Sequence, residues 1–210
     1  MLPAARHLTR ACIHLDRLEH NMQLLQELAG GRPLWPAIKA NAYGHGMEII
    51  ARHLVSRGHD TLCVAHVTEA LELVEAGVAA RLLLLSATLP EHCEAIVACG
   101  CEPVVCTLEM VSALARAAER AGKEVGVQLM VDTGMGRIGI RPGEVKDFLE
   151  RCSAYTGLRV RGLMSHFPCA DEADKTLSRA GMAQFQGVID AGRDRGIEVC
   201  HMANSAAIFD

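Results

Sequence analysis

Short apolar runs alternate with stretches whose apolar residues recur every three to four positions, from near one end of the chain to the other. The strand-like runs are residues 35–40, 61–67, 81–86, 102–106, 125–132, 161–167 and 198–204. Helical spacing covers residues 47–56, 67–75, 110–121 and 182–193, followed by Gly58, Gly77, Gly122 and Gly196. Glycine just past the last turn stops a helix, because it takes the left-handed conformation without a Cβ penalty. Strands alternating with helices over short links predict a parallel α/β fold. Half of the 210 residues are hydrophobic, enough for one large domain or at most two small ones. Ala, Val and Leu dominate, as helix-on-sheet packing requires. Composition nowhere shifts to Pro, Ser or charge runs, so no inter-domain linker is predicted.

Periodicity does not separate an open doubly wound sheet from a closed (β/α)8 barrel. Polar residues tilt the choice. Lys39, Asp132, His166 and Asn204 all fall at strand ends, spread from the first strand to the last. In a barrel every strand's carboxyl end converges on one mouth, so residues this far apart can meet. The outer strands of an open sheet would hold theirs apart.

Charge and composition exclude several functions. The net charge is −4 and the basic residues are scattered, without a stripe or tail that suggests nucleic acid. One Trp, two Tyr and four Phe are too few for base-stacking platforms. No apolar run approaches the roughly 20 residues of a membrane span, and the N-terminus lacks the long apolar region of a secretory signal. The nine cysteines are odd in number and irregular in spacing. The nearest pair is Cys99-Gly100-Cys101. No Cys-x-x-Cys occurs, and no His stands at zinc-ligand spacing, so no metal centre is expected. Cys63, Cys106 and Cys200 lie in apolar runs as small core hydrophobes. Reduced thiols in the cytoplasm fit this usage.

Four segments carry chemistry. In Trp35-Pro36-Ala37-Ile38-Lys39-Ala40-Asn41-Ala42-Tyr43-Gly44-His45-Gly46 an apolar run ends in a lysine, followed by a turn with two glycines and a helix. Burying an amine there is costly without a job or a partner, and burial makes a lysine nucleophilic enough to form a Schiff base. The bland alternative is a lysine whose head reaches water. Met130-Val131-Asp132-Thr133-Gly134-Met135-Gly136-Arg137 is a strand, a turn and an arginine; taken alone, that arginine is a surface residue. In Gly162-Leu163-Met164-Ser165-His166-Phe167 a histidine closes a strand, a place where most histidines are satisfied core or rim residues. In His201-Met202-Ala203-Asn204-Ser205, Asn and Ser are ordinary N-cap residues, and a helix N-terminus also suits a phosphate. His7, His14, His20, His53, His59 and His92 have no motif around them. Dinucleotide, Walker and nucleophile-elbow motifs are absent.

The twelve residues 35–46 closely resemble the pyridoxal-phosphate lysine segment of alanine racemases. The other three segments are similar to the same family, and the likeness runs along essentially the whole chain. It implies a pyridoxal 5′-phosphate-binding (β/α)8 TIM-type barrel over residues 16–210, truncated after about the seventh strand. Residues 1–15 would supply a strand to a further C-terminal β domain. By resemblance, Lys39 carries the cofactor and serves as base on one face. Tyr43, Asn204 and Ser205 lie at the phosphate, His166 lies against the ring, and Arg137 lies beside the substrate carboxylate. Many relatives have a carbamylated lysine two residues before the aspartate to hold that arginine; Met130 stands there in this chain. The implied activity is interconversion of L- and D-alanine, supplying D-alanine for peptidoglycan, by a protein that is a homodimer when complete. The family's eighth strand, its arginine facing the ring nitrogen and its catalytic tyrosine would all lie beyond Asp210. The expectation is therefore a piece of a longer racemase with little activity alone. Two other readings share the barrel: a non-catalytic single-domain protein that handles the cofactor, and a serine or broad-specificity amino-acid racemase.

Overall fold

The computed structural model describes residues 10–192 and 195–209. Six strands form one sheet: β1 (Thr61–Val64), β2 (Arg81–Leu84), β3 (Glu102–Val105), β4 (Val125–Met130), β5 (Leu158–Met164) and β6 (Val199–His201). Each pairs in parallel with the next in chain order. A doubly wound sheet reverses its strand order at a switch point; this one does not.

The first expected strand, 35–40, is reduced to a single bridge between Ala37 and Cys63. Pro36 has no N–H to give the ladder, so its carbonyl accepts from Cys63 N at 2.8 Å and Ile38 N donates to Cys63 O at 2.8 Å. Beyond Lys39 the backbone leaves extended geometry altogether. The last expected strand, 198–204, shortens to β6. Residues 10–14 join no strand among the described residues, and Leu15 already opens the helix Leu15–Leu28. The rest of the expected N-terminal strand lies outside the described residues.

The sheet curls. Seven strand positions laid flat would separate the outermost two by roughly 29 Å at the usual spacing. Yet the Trp35 ring, at one edge, meets His201 of β6, at the other, with centroids 4.7 Å apart. The Arg81 guanidinium lies 4.8 Å from the Trp35 ring centroid. The helix Leu15–Leu28 also touches the turn Ser205–Phe209.

Helices cover the outer face. Leu108–Ala121 shows why they form where they do. Thr107 caps it by accepting from Met110 N at 3.3 Å, and Gly122 ends it at φ 62°. Its buried stripe of Met110, Val111, Leu114, Ala117 and Ala118 packs on the sheet. Leu62, Val64, Leu82, Leu84, Val105, Val127, Leu129 and Leu163 meet that layer in the main core. The inner face carries two layers. Towards the mouth, Val104, Met130 and Met164 form a separate apolar cluster.

Towards the base lies a polar network around Glu102, which is 4% exposed. Gln128 Nε2 donates to Glu102 Oε1. Arg161 Nη1 donates to Glu102 Oε2 at 3.2 Å, and the same guanidinium pairs with Glu198 at 2.7 Å. Arg161 reaches inward because the register slips here: Val127 pairs with Val160 and Gln128 with Gly162, leaving Arg161 as the extra residue of a bulge. The buried carboxylate therefore has neighbours on both sides, the condition under which a charge is tolerated in an interior.

Gly162 makes room for this layer. A Cβ there would lie 1.9 Å from Gln128 Oε1 and 2.7 Å from Val199 Cγ2. Gly162→Ala is expected to destabilise the chain by about 1–3 kcal/mol through overpacking. In urea the midpoint should fall with an unchanged slope; an unchanged midpoint would show that Gln128 moves aside freely.

Candidate active site at the barrel mouth

Lys39 stands at the carboxyl end of the first strand position, half-buried. The chain then turns the wrong way round for L-residues. Ala40, Asn41, Ala42 and Tyr43 have φ of 52°, 54°, 51° and 53°, one turn of left-handed helix with no glycine in it. Each such residue costs about 1–2 kcal/mol, so the turn persists only where surroundings over-determine it. The Glu69 carboxylate supplies much of that determination. It accepts from Ala40 N at 2.6 Å and from Ala65 N, just past β1, at 2.7 Å. Asn41 Oδ1 accepts from Met47 N at 2.8 Å, and His45 Nδ1 donates to Ala42 O at 2.9 Å. Gly44 and Gly46, at φ 85° and 94°, then release the chain into the helix Met47–Ser56.

Sequence reasoning missed Glu69. Its position, third in the helix Val67–Glu75, is where a glutamate commonly reaches back to a free N–H ahead of the helix. That signal was readable; its second bond, 29 residues away at Ala40, was not.

Arg137 sits in the loop after β4. Asp132 Oδ1 accepts from Gly134 N and Gly136 N, both at 3.0 Å. The loop closes through Asp132 N to Ile140 O at 2.8 Å and Ile140 N to Met130 O at 3.0 Å. Gly139, at φ 129°, is required there: a Cβ would lie 2.6 Å from Asp132 N. Thr133 Oγ1 and Ser165 Oγ, 2.7 Å apart, tie this loop to the end of β5. The guanidinium itself is exposed and makes no hydrogen bond or ion pair among the described residues. Met130 is buried at 2% exposure among Val104 and Met164. It props the inner wall and offers no anion to Arg137, which is placed by the loop's own hydrogen bonds.

His166 follows β5, partly buried. Burial holds its pKa below the usual histidine range, helped by the positive charges of Arg137 and then Lys39. Those two charges act on one imidazole, so residues from three distant strand ends share one mouth. Lys39 also acts on Cys63, whose thiol burial pushes up to about 12 against the pull of Arg81 and Lys39. Asn204 Oδ1 accepts from Ala207 N at 3.0 Å and caps the turn Ser205–Phe209, leaving Ser205 exposed at its start. Tyr43 is 60% exposed. No hydrogen bond among the described residues joins Tyr43 or Ser205 to the other site residues. Below the mouth, His201 is half-buried, and its enclosed Nε2 has no partner among the described residues. Burial, aided by Arg81, lowers its pKa to about 4, which keeps the ring neutral.

The chemical inventory is an amine and an exposed guanidinium, neither with an ion-pair partner among the described residues, an imidazole whose pKa burial lowers, and hydroxyls at exposed turns. Among the described residues no helix is long and apolar enough to cross a membrane. A family profile described as "Alanine racemase, N-terminal domain" matches residues 13–210. Alanine racemase of Clostridium perfringens is 38% identical over 202 residues, covering 94% of this chain and 52% of that protein. Alanine racemase of Desulfosudis oleivorans is 39% identical over 213 residues, covering 94% of this chain and 54% of its own length. Among solved structures, alanine racemase of Clostridium difficile superposes with a TM-score of 0.88 at 30% identity, over 93% of this chain and 52% of that one. The enzyme from Streptomyces lavendulae gives 0.86 at 31% identity, over 92% and 52%. The chain thus spans about half the length of the relatives it matches. Over residues 13–210 it belongs to the alanine racemase family, as the N-terminal barrel domain.

Proposed function

We propose that this chain is the barrel portion of a cytoplasmic, pyridoxal 5′-phosphate-dependent alanine racemase that supplies D-alanine for peptidoglycan and works as a homodimer when complete. The observation that supports the reading is the all-parallel sheet, which sends the segments bearing Lys39, Arg137 and His166 out on one side, where the two charges act on the imidazole. The residues present fit the cofactor. Lys39 makes no hydrogen bond or ion pair among the described residues, and a strained, clamped turn fixes the backbone beside it. Bound there, the cofactor supplies an electron sink at the substrate's α-carbon.

Each residue then has one task. Lys39 attaches the cofactor and moves the α-proton on one face. Arg137 takes the substrate carboxylate, where a permanent planar cation outperforms a lysine. His166, whose pKa burial lowers, would stand beside the cofactor without adding a third positive charge. Tyr43 and Ser205 hold the phosphate from two turns, and Asn204 fixes the second of them. Residues 10–14, unpaired in this sheet, belong with a β domain outside this barrel.

Reduction with borohydride is expected to fix the cofactor on the peptide containing Lys39, and Lys39→Ala should abolish that adduct. Equal covalent yield in the variant would place the cofactor elsewhere.

Tyr43→Phe and Ser205→Ala each remove a hydroxyl that bonds a charged group, worth about 1.5–3 kcal/mol. Cofactor affinity measured by absorbance titration should fall roughly tenfold to a hundredfold. Affinity equal to the parent in either variant removes that residue from the phosphate site.

Racemisation needs a proton acceptor on each face. Tyr155 precedes β5 at the far end of the barrel and packs against the core, so it cannot serve the mouth. One acid–base group contributes about 10²–10⁴ in rate. These 210 residues, loaded with cofactor, should therefore convert L- to D-alanine far more slowly than the roughly 10 per second of a typical enzyme. A rate of that order would reveal a second base within them.

A further inference from the structure

Two sulfurs stand apart from the rest of the thiols. Cys99 ends the helix Cys93–Cys99, Gly100 turns the chain at φ 69°, and Cys101 leads into β3. Cys99 Sγ and Cys101 Sγ are 2.7 Å apart. A disulfide has S–S near 2.05 Å, so closing one here requires a shift of only about 0.7 Å. Cys99 is half-buried and Cys101 is 2% exposed, which gives the two sulfurs different access.

We propose that Cys99 and Cys101 form a reversible thiol–disulfide exchange site at the base of the barrel, opposite the mouth, whose substrate is a small disulfide. The Cys99 thiolate attacks one sulfur of that disulfide and expels the other half as a thiolate, which takes a proton. A mixed disulfide now joins Cys99 to the remaining half. Cys101 loses its proton to solvent and attacks the Cys99 sulfur, expelling the second small thiolate, which is protonated in turn. The two protein thiols are oxidised by two electrons and one small disulfide is reduced to two thiols.

The surroundings favour that order of attack. The two sulfurs are in contact, Cys99 Sγ also lies 3.5 Å from Ile96 O, and the Lys123 ammonium acts on the Cys99 sulfur. The contact with Cys101 is the main influence that draws the Cys99 thiol below the usual range, against the cost of burial, while the same contact pushes Cys101 up. Lys123 is fixed there by donating to Val97 O and Ala98 O, both at 3.3 Å. Burial pushes the thiols of Cys63, Cys93, Cys106 and Cys152 the other way. A lowered thiolate with a partner in contact is the pattern of exchange chemistry; a buried, raised thiol is inert.

The test uses the full 210-residue chain, reduced and then equilibrated with mixtures of reduced and oxidised glutathione, quenched with an alkylating agent and mapped by mass. The peptide holding both cysteines should lose two hydrogens and carry neither label nor glutathione, while exposed Cys12 behaves as a monothiol and retains glutathione. Cys101→Ser should trap a stable mixed disulfide at Cys99, and Cys99→Ser should leave Cys101 unmodified. A persistent glutathione adduct on Cys99 of the parent chain, or full labelling of both cysteines in oxidising mixtures, overturns the proposal. So does a Cys101→Ser variant whose Cys99 stays free.

Discussion

Parallel pairing between each strand and its immediate successor is the constraint from which the rest follows. It sends every connecting helix over the same face and every carboxyl end to the same side. With the right-handed twist of the strands, such a sheet curls until its edges approach, and the contact of Trp35 with His201 marks how far the curl has gone. Only then do the charges of Lys39 and Arg137 reach His166, more than a hundred residues of chain beyond the lysine. The curl also creates an inside. Space there is filled by Val104, Met130 and Met164 towards the mouth and by charges towards the base. Glu102 is tolerated because Arg81, Arg161 and Gln128 converge on it.

The strained turn after Lys39 shows how stability is spent on position. Four non-glycine residues in the left-handed region oppose folding locally. The opposing terms are bonds to groups that would otherwise be orphaned, above all the two N–H groups accepted by Glu69. That carboxylate links the first strand position, the end of β1 and the helix that follows it. It fixes the backbone beside Lys39 without touching the amine, so the amine stays free for chemistry.

The loop bearing Arg137 solves a similar problem differently. With a thioether at Met130, no anion among the described residues pairs with the guanidinium. Placement falls instead to the Asp132 carboxylate, the close approach at Gly139 and the hydroxyl pair Thr133–Ser165. These fix the backbone and leave the long side chain its freedom, which suits a residue awaiting a carboxylate.

The sequence by itself determined the alternation of strands and helices, the glycine stops, and the strand ends at which Lys39, His166 and Asn204 stand. Those features follow from local rules: periodicity, the left-handed freedom of glycine, and the cost of a polar group beside an apolar run. The family segments added roles for those residues. Tertiary structure alone decided the rest. The strand 35–40 shrank to one bridge because Pro36 withholds an N–H and a left-handed turn follows Lys39. Glu69 joined the site through a bond to Ala40, and Arg161 turned inward at a bulge. Met130 became part of the inner wall, and Cys99 met Cys101 across a glycine. Each of these depends on which backbone groups lack partners and which side chains fill one space, and a linear pattern of residue types encodes neither.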